Sequence, residues 1–210
     1  MSIVKIDSIN LKKMSFFDIY DFEDFFLENA LIENEIISDQ CIEKLFIEDS
    51  IIEHCELSGN NFVKAEFTNC IFKNCDFSNT VLSESVLYKC EFINCKMLGL
   101  DISEAYINTN LFLENNMEMV NLSSANFKEV SFSDCNLTNT DLIDAKMVKT
   151  TFDSCKLDSM NLTGTLLKKV DISTCHFTHL PLSIETISGS IVNEHQALIL
   201  ARDLLKVNIK

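Results

Sequence analysis

The stretch LSGNNFVKAEFTNCIFKNCDFSNTVL, from Leu57 to Leu82, puts a large apolar residue at Leu57, Phe62, Phe67, Phe72, Phe77 and Leu82. A step of five is neither the 3.6-residue period of an amphipathic helix nor the alternation of an ordinary strand. Followed outward, the step never slips. Every fifth residue through Phe92, Phe112, Phe132, Phe152 and Phe177 to Leu182 is Phe, Leu, Ile or Met. A strict short period marks an internal repeat, and such repeats decide the architecture. The same phase extends upstream, more weakly, through Phe17, Phe22, Leu27, Ile32, Ile37, Ile42, Ile47 and Ile52.

The position two residues before each large one is mostly small: Cys55, Ala65, Cys70, Cys75, Ser85, Cys90, Ala125, Cys135, Cys155. Each unit therefore turns one large and one small residue inward and leaves three positions to water. The position two residues after the large one holds Gly59, Asn69, Asn74, Asn79, Gly99, Asn139 and Gly164. Gly and Asn tolerate the positive φ that a type II turn requires. The unit reads as a short extended piece followed by a turn.

Cys75-Asp76-Phe77-Ser78-Asn79, Ala125-Asn126-Phe127, Thr140-Asp141-Leu142 and Met160-Asn161-Leu162 fit the A(D/N)LxX motif, and the chain resembles the pentapeptide-repeat family. The resemblance implies an all-β fold, a right-handed quadrilateral parallel β-helix in which four units make a coil of about 20 residues. Residues 20 apart then share a face. Phe72, Phe92, Phe112, Phe132, Phe152 and Ile172 become a stacked ladder. Cys55, Cys75, Cys95, Cys135, Cys155 and Cys175 become a column interrupted by Asn115.

That column is read as reduced, buried, small apolar filler. Cys70/Cys75 and Cys90/Cys95 lack the spacing of a zinc site. The four histidines read as surface residues, and no acid, base and nucleophile converge. The expectation is a protein without catalytic residues, metal or cofactor. The opening residues carry neither the basic nor the long apolar segment of a secretory signal. No apolar run is long enough to span a bilayer. A soluble cytoplasmic protein without a membrane partner is expected.

Three segments follow. Residues 1–34 read as an N-terminal cap and irregular leading coil, 35–187 as the repeat β-helix, and 188–210 as a C-terminal helix and short strand. In the last segment Asn193 is a good N-cap. Ala197, Leu198, Leu200, Ala201, Leu204 and Leu205 follow helical spacing, and Val207 and Ile209 follow them. The ending from Ile187 to Ile209 resembles the C-terminal module of Qnr-type pentapeptide-repeat proteins. That resemblance implies a head-to-head homodimer through these residues. It further implies a rod that mimics duplex DNA, binds DNA gyrase or topoisomerase IV, and protects them from fluoroquinolones. No loop interrupts the coils, as in the loopless members, which puts strong protection in doubt.

The formal net charge is −15, which disfavours direct binding to nucleic acid and suits docking on a basic surface. On the face of Phe62, Leu82, Ile102, Leu122 and Leu142 the expected outward acids are Glu84, Asp101, Glu104, Asp141 and Asp144, with Lys64 opposing. The next face carries Lys89, Lys128, Lys146, Lys149, Lys168 and Lys169. The acidic face is the expected partner surface. The alternative is a scaffold for an unrelated protein, docking at outward apolar residues Ile71, Ile93, Leu111 and Leu113 of the phenylalanine face.

Overall fold

A computed structural model describes residues 3–6, 10–22 and 24–208. Short strands, among them Glu66–Thr68, Ile71–Lys73, Val86–Tyr88 and Glu91–Ile93, pair in parallel with the strand 20 residues on. The two other sides of each coil carry single bridges, such as Asp76↔Lys96 and Val81↔Asp101. Four sides of five residues close one square coil, and the coils stack as a solenoid. The winding is right-handed, as parallel crossovers are in nearly all cases. The quadrilateral β-helix that the resemblance implied is the fold observed.

The inward pattern is equally strict. Phe62, Phe77, Leu82, Leu87, Met97, Ile107, Phe112 and Met117 are fully buried. Rings at Phe72, Phe92, Phe112, Phe132 and Phe152 stack with centroids 4.9, 5.0, 4.9 and 5.1 Å apart, all near-parallel. Each such pair adds about 0.5–1.5 kcal/mol beyond its burial.

The small inward position has a second role that the sequence reading missed. The carbonyl of the large residue points into the core, where an unpaired acceptor is costly. Where the small residue 23 positions later is Cys, Thr or Asn it can supply the donor; Ala65, Ala105, Ala125 and Ala145 cannot, and the buried hydroxyls of Ser85 and Thr150 make no hydrogen bond. Thr80 Oγ1 donates to Leu57 O, Thr140 Oγ1 to Met117 O, and Asn115 Nδ2 to Phe92 O at 2.8 Å. The cysteine thiols Cys75, Cys95 and Cys135 have Ile52 O, Phe72 O and Phe112 O as acceptors. Cys, Thr and Asn are thus equivalent there because each is a compact donor; the cysteines are more than filler.

The corners from Asn29 to Lys169 adopt positive φ, at Gly59, Gly99 and Gly164 but also at Lys64, Glu84, Glu104, Met119 and Asp144. The backbone imposes the left-handed turn on whichever residue stands there, so Gly and Asn showed only part of the pattern.

The N-terminal end differs from the expectation. Phe17 and Phe22 are exposed, not inward. A 3₁₀ helix, Phe16–Asp21, buries Phe16 and Ile19 instead. It starts at a capping box in which the Asp18 carboxylate accepts from Ser15 N at 2.9 Å. Lys12 pairs with Ala30, 18 residues on, so this first coil is two residues short and the phase breaks at the helix. The regular ladder begins earlier than residue 35: strands Phe26–Glu28 and Ala30–Glu33 already pair with Phe46–Glu48 and Ile51–Glu53.

At the other end a short helix, Ile184–Ile187, interrupts what was read as the last repeat unit. Helix Glu194–Leu205 follows, with an Asn193/Gln196 capping box. Gln196 is buried, and its Nε2 donates to Ile172 O and Cys175 O, both at 2.8 Å. It does for the last coil what the next coil's cysteine does elsewhere. Val207 and Asn208 form no strand, and Ile209 lies outside the described residues.

Two glycines separate turn strain from contact. A Cβ at Gly59 meets nothing within 4 Å, whereas at Gly164 it falls 1.9 Å from Asp144 Oδ1. Both φ values are positive, so Gly59→Ala loses about 1 kcal/mol from turn strain alone. Gly164→Ala should lose measurably more in urea unfolding followed by circular dichroism. Equal losses would show that the Asp144 contact carries no weight.

Candidate protein-docking surface

The corner that closes the Phe62 face runs Lys64, Glu84, Glu104, Ser124, Asp144 in successive coils. Glu84, Glu104 and Asp144 are exposed, each on a left-handed residue that swings the side chain outward. Stacking puts Glu84 and Glu104 one coil apart, roughly 4.8 Å, and Asp144 two coils further. One coil earlier the same corner carries the exposed Lys44, and Lys64 lies 3.1 Å from Glu43 and 3.9 Å from Glu84. These pairs are solvent-exposed and individually weak.

Asp101 and Asp141 belong to a different column. Asp101 Oδ1 accepts from Ser103 N at 3.0 Å and from Asn121 Nδ2 at 3.0 Å. Asp141 Oδ1 accepts from Asn161 Nδ2 at 3.0 Å. Asn121 and Asn161 repeat the turn contact through Ser123 N and Thr163 N. Both aspartates are half-buried. They brace the bridge side of the coil, and the five expected acids divide into three that are exposed at the corner and two that hold the wall.

The neighbouring Phe67 face carries the expected lysines in exposed positions. Lys149 pairs with Glu129 at 2.6 Å, and Lys89 lies over the Tyr88 ring at 5.1 Å.

The apolar residues of the phenylalanine face, Ile71, Ile93, Leu111 and Leu113, are half-buried and do not form an open patch. Glu91 stands among them, 2% exposed. Its Oε1 accepts from Ile3 N and from Val4 N at 2.8 Å, and Val4 is itself buried. The N-terminal segment therefore lies across this face. An acid in the column Ile51, Ile71, Leu111 was the available signal for that contact.

The C-terminal helix divides the expected dimer residues. Leu200 is buried and Leu204 packs on the core, together with Ile199, which the spacing argument had left out. Leu200 is thus occupied by its own chain. Leu198, Leu205 and Val207 are exposed, with Ala197 beside them and Ala201 half-buried. The Asn193-x-x-Gln196 spacing was the sequence signal for the buried Gln196.

Along the stacked thiols the shifts differ in sign: Cys95 and Cys135 are lowered, first by hydrogen bonds with Cys75 and Cys155. Cys55 and Cys175 are pushed up, first by hydrogen bonds with Cys75 and Cys155 and then by burial. Cys155 rises to about 12 for the same reasons, with Cys135 as its partner. Cys41 is the exposed cysteine. Among the described residues no group of three or more His, Cys, Asp or Glu could hold a metal ion, and no helix is long and apolar enough to cross a membrane.

A solenoid whose core is filled and whose differences lie in outward columns is a binding scaffold in form. Models of the pentapeptide repeat region match residues 85–162 and 116–190, and models of eight pentapeptide repeats match 48–79 and 61–99. The chain belongs to the pentapeptide-repeat family. No curated protein matches it in sequence. Among solved structures it is similar to HetL of the cyanobacterium Nostoc sp., a pentapeptide repeat protein involved in heterocyst differentiation regulation. The identity is 12%, the TM-score 0.42, and the match covers 80% of this chain and 90% of HetL. It is also similar to a trypsin-treated variant of QnrB1, a plasmid-mediated fluoroquinolone resistance protein. There the identity is 23% and the TM-score 0.31, over 86% of this chain and 98% of QnrB1. A pentapeptide repeat protein of the Arabidopsis thaliana thylakoid lumen is 13% identical, with a TM-score of 0.30, over 70% of this chain and 72% of its own.

Two measurements check the assignments. Asp101→Ala removes two hydrogen bonds to a carboxylate and should cost about 1–2 kcal/mol, while Glu104→Ala should stay within about 0.5 kcal/mol. Equal effects in denaturant titration would merge the two columns. Native thiol labelling should modify Cys41 quickly and leave the buried cysteines untouched until the chain is unfolded.

Proposed function

We propose that the chain is a DNA-mimicking interaction protein that docks its acidic corner on the DNA-binding surface of a type II topoisomerase. The observation that supports this reading is the exposed column Glu84, Glu104, Asp144. Its charges are set at ladder spacing on a rigid rod, so they are held in place as phosphates are on a duplex. Over about 40 Å, DNA carries about 24 charges; the chain has a net charge of −15. The density is lower but of the same order, enough to steer association with a basic groove.

The nature of the partner, DNA gyrase or topoisomerase IV, rests on the likeness of the Ile187–Ile209 ending to Qnr-type modules. The same likeness supports a homodimer joined through the outward side of the C-terminal helix, where Leu198 and Leu205 are exposed. Two-fold symmetry would set the two acidic corners end to end and double the charged length. A cytoplasmic location is part of this reading.

Gyrase supercoiling with purified protein tests it, with and without a fluoroquinolone. Low protein should relieve drug inhibition, and high protein should inhibit directly. The combined Glu84→Lys, Glu104→Lys and Asp144→Lys variant should lose both effects. Lysine is tolerated at such corners, as Lys64 and Lys149 show by their own positive φ. Absence of any effect on either enzyme from a matching host overturns the reading.

A further inference from the structure

The Phe67 face is polarised along the rod. At its N-terminal end the outward positions hold Phe26, Glu28, Phe46, Glu48, Asp49 and Glu66. Phe22, Asp24, Phe26 and Phe46 line a cleft there. At its C-terminal end they hold Lys128, Lys146, Val148, Leu166 and Lys168. Tyr88 and Tyr106 lie between, 37% and 46% exposed, and Val148 and Leu166 are 56% and 55% exposed. Among the described residues no salt bridge engages Glu28, Glu48, Glu66, Lys128, Lys146 or Lys168. The acids crowd one another: the Glu48 carboxyl is held above its ordinary range by burial and then by Asp49 and Glu28.

We propose that this face is a self-complementary docking surface for a second copy of the chain, packed antiparallel. A two-fold axis along the strand direction, between the coils of Leu87 and Ile107, reverses the coil order and leaves each column facing itself. The first coil of the face then meets the last. Glu28 comes opposite Lys168 and Phe26 opposite Leu166. In the next coil Asp49 comes opposite Lys149, while Phe46 lies against Lys146 and Glu48 against Val148. Val86 and Tyr88 meet Tyr106 and Asn108 at the centre. This register sets opposite charges together at both ends, as Glu28 with Lys168 and Asp49 with Lys149. The same sequence that makes the face useless as a uniform DNA mimic makes it complementary to its own copy.

The dimensions fix the strength expected. The face is about 34 Å long at the ladder spacing and about 10 Å wide across three strand residues. With its corners it buries on the order of 500 Å² per chain, short of the roughly 800 Å² of a standard stable interface. The contact is therefore weak, reversible and salt-sensitive, since exposed charges are screened over about 10 Å at 0.1 M salt.

Sedimentation equilibrium of the full chain at low salt tests this with two variants: Glu28→Lys/Glu48→Lys/Glu66→Lys and Lys128→Glu/Lys146→Glu/Lys168→Glu. Circular dichroism verifies that each is folded. Each variant alone should self-associate at least tenfold more weakly than the unsubstituted chain. An equimolar mixture should associate at least as tightly as that chain, because an all-basic face then meets an all-acidic one. Any head-to-head contact through the C-terminal helix is the same in all samples and drops out of the comparison. The gyrase-docking corner is untouched, so the two proposals fail separately. If the variants associate like the unsubstituted chain, or the mixture does not recover, the proposal is wrong. It is equally wrong if association is unchanged while the lysine-reversed variant alone loses binding to a short DNA duplex, which would make the basic end a polyanion site.

Discussion

A square coil of five-residue sides needs the backbone to turn about 90° at every fifth residue, and it does so with a left-handed residue at each corner. That conformation costs an L-residue about 1–3 kcal/mol, and it is met here by Lys64, Glu84, Lys89, Glu104, Met119 and Asp144 as well as by glycine and asparagine. What offsets it is cooperative. Each corner lets two sides hydrogen-bond to the coils before and after, as in Glu84 N to Ser103 O and Val86 N to Ala65 O, both 2.9 Å. It also drives one large and one small residue into a close-packed core. The strain is local, while the stabilisation is shared by the whole stack.

The core half of this arrangement was legible in the sequence because burial in a strict period leaves little choice. Phe72 through Phe152 could be placed as a ladder from spacing alone. The small position was only half legible. Its size was plain, but its role as donor to the carbonyl 23 residues earlier becomes visible only once coils are stacked, since the two partners are never near in sequence. The ends were the least legible for a related reason. Phe17 and Phe22 keep the period and yet face water, because a two-residue deficit in the first coil, created by a 3₁₀ turn, is not a feature of composition. Gln196 could have been flagged as half of a capping box. Its further role as acceptor-satisfying plug for Ile172 O and Cys175 O depends on where the helix lands.

The surface half follows a different rule. An outward position is constrained by neither volume nor donor needs, so its identity is free to be set by partners. Stacking then converts a repeat of five in sequence into columns with a spacing of one coil. Asp101 and Asp141 look like members of the acidic set in sequence. They are removed from it by the hydrogen bonds they accept from Asn121 and Asn161, which use the carboxylates to brace the turn. Glu84, Glu104 and Asp144 have no such duty, and standing two residues past the inward Leu82, Ile102 and Leu142 they project from the corner rather than from the flat side.

The consequence is that a single rod presents two electrostatic designs at right angles. The Phe62 corner is acidic over the coils from Glu84 to Asp144, past the lysines Lys44 and Lys64, which suits a partner with a basic groove there. The Phe67 face reverses sign from end to end, which suits a partner with the opposite gradient, and a copy of the chain turned around has that gradient by symmetry. A gradient of this kind is costly for a DNA mimic, because lysines beside the acidic corner weaken the field that steers it. Pairing the lysine end against the acidic end of a second rod removes that field at close range. The core imposes nothing on either column, so each can be set by its own partner.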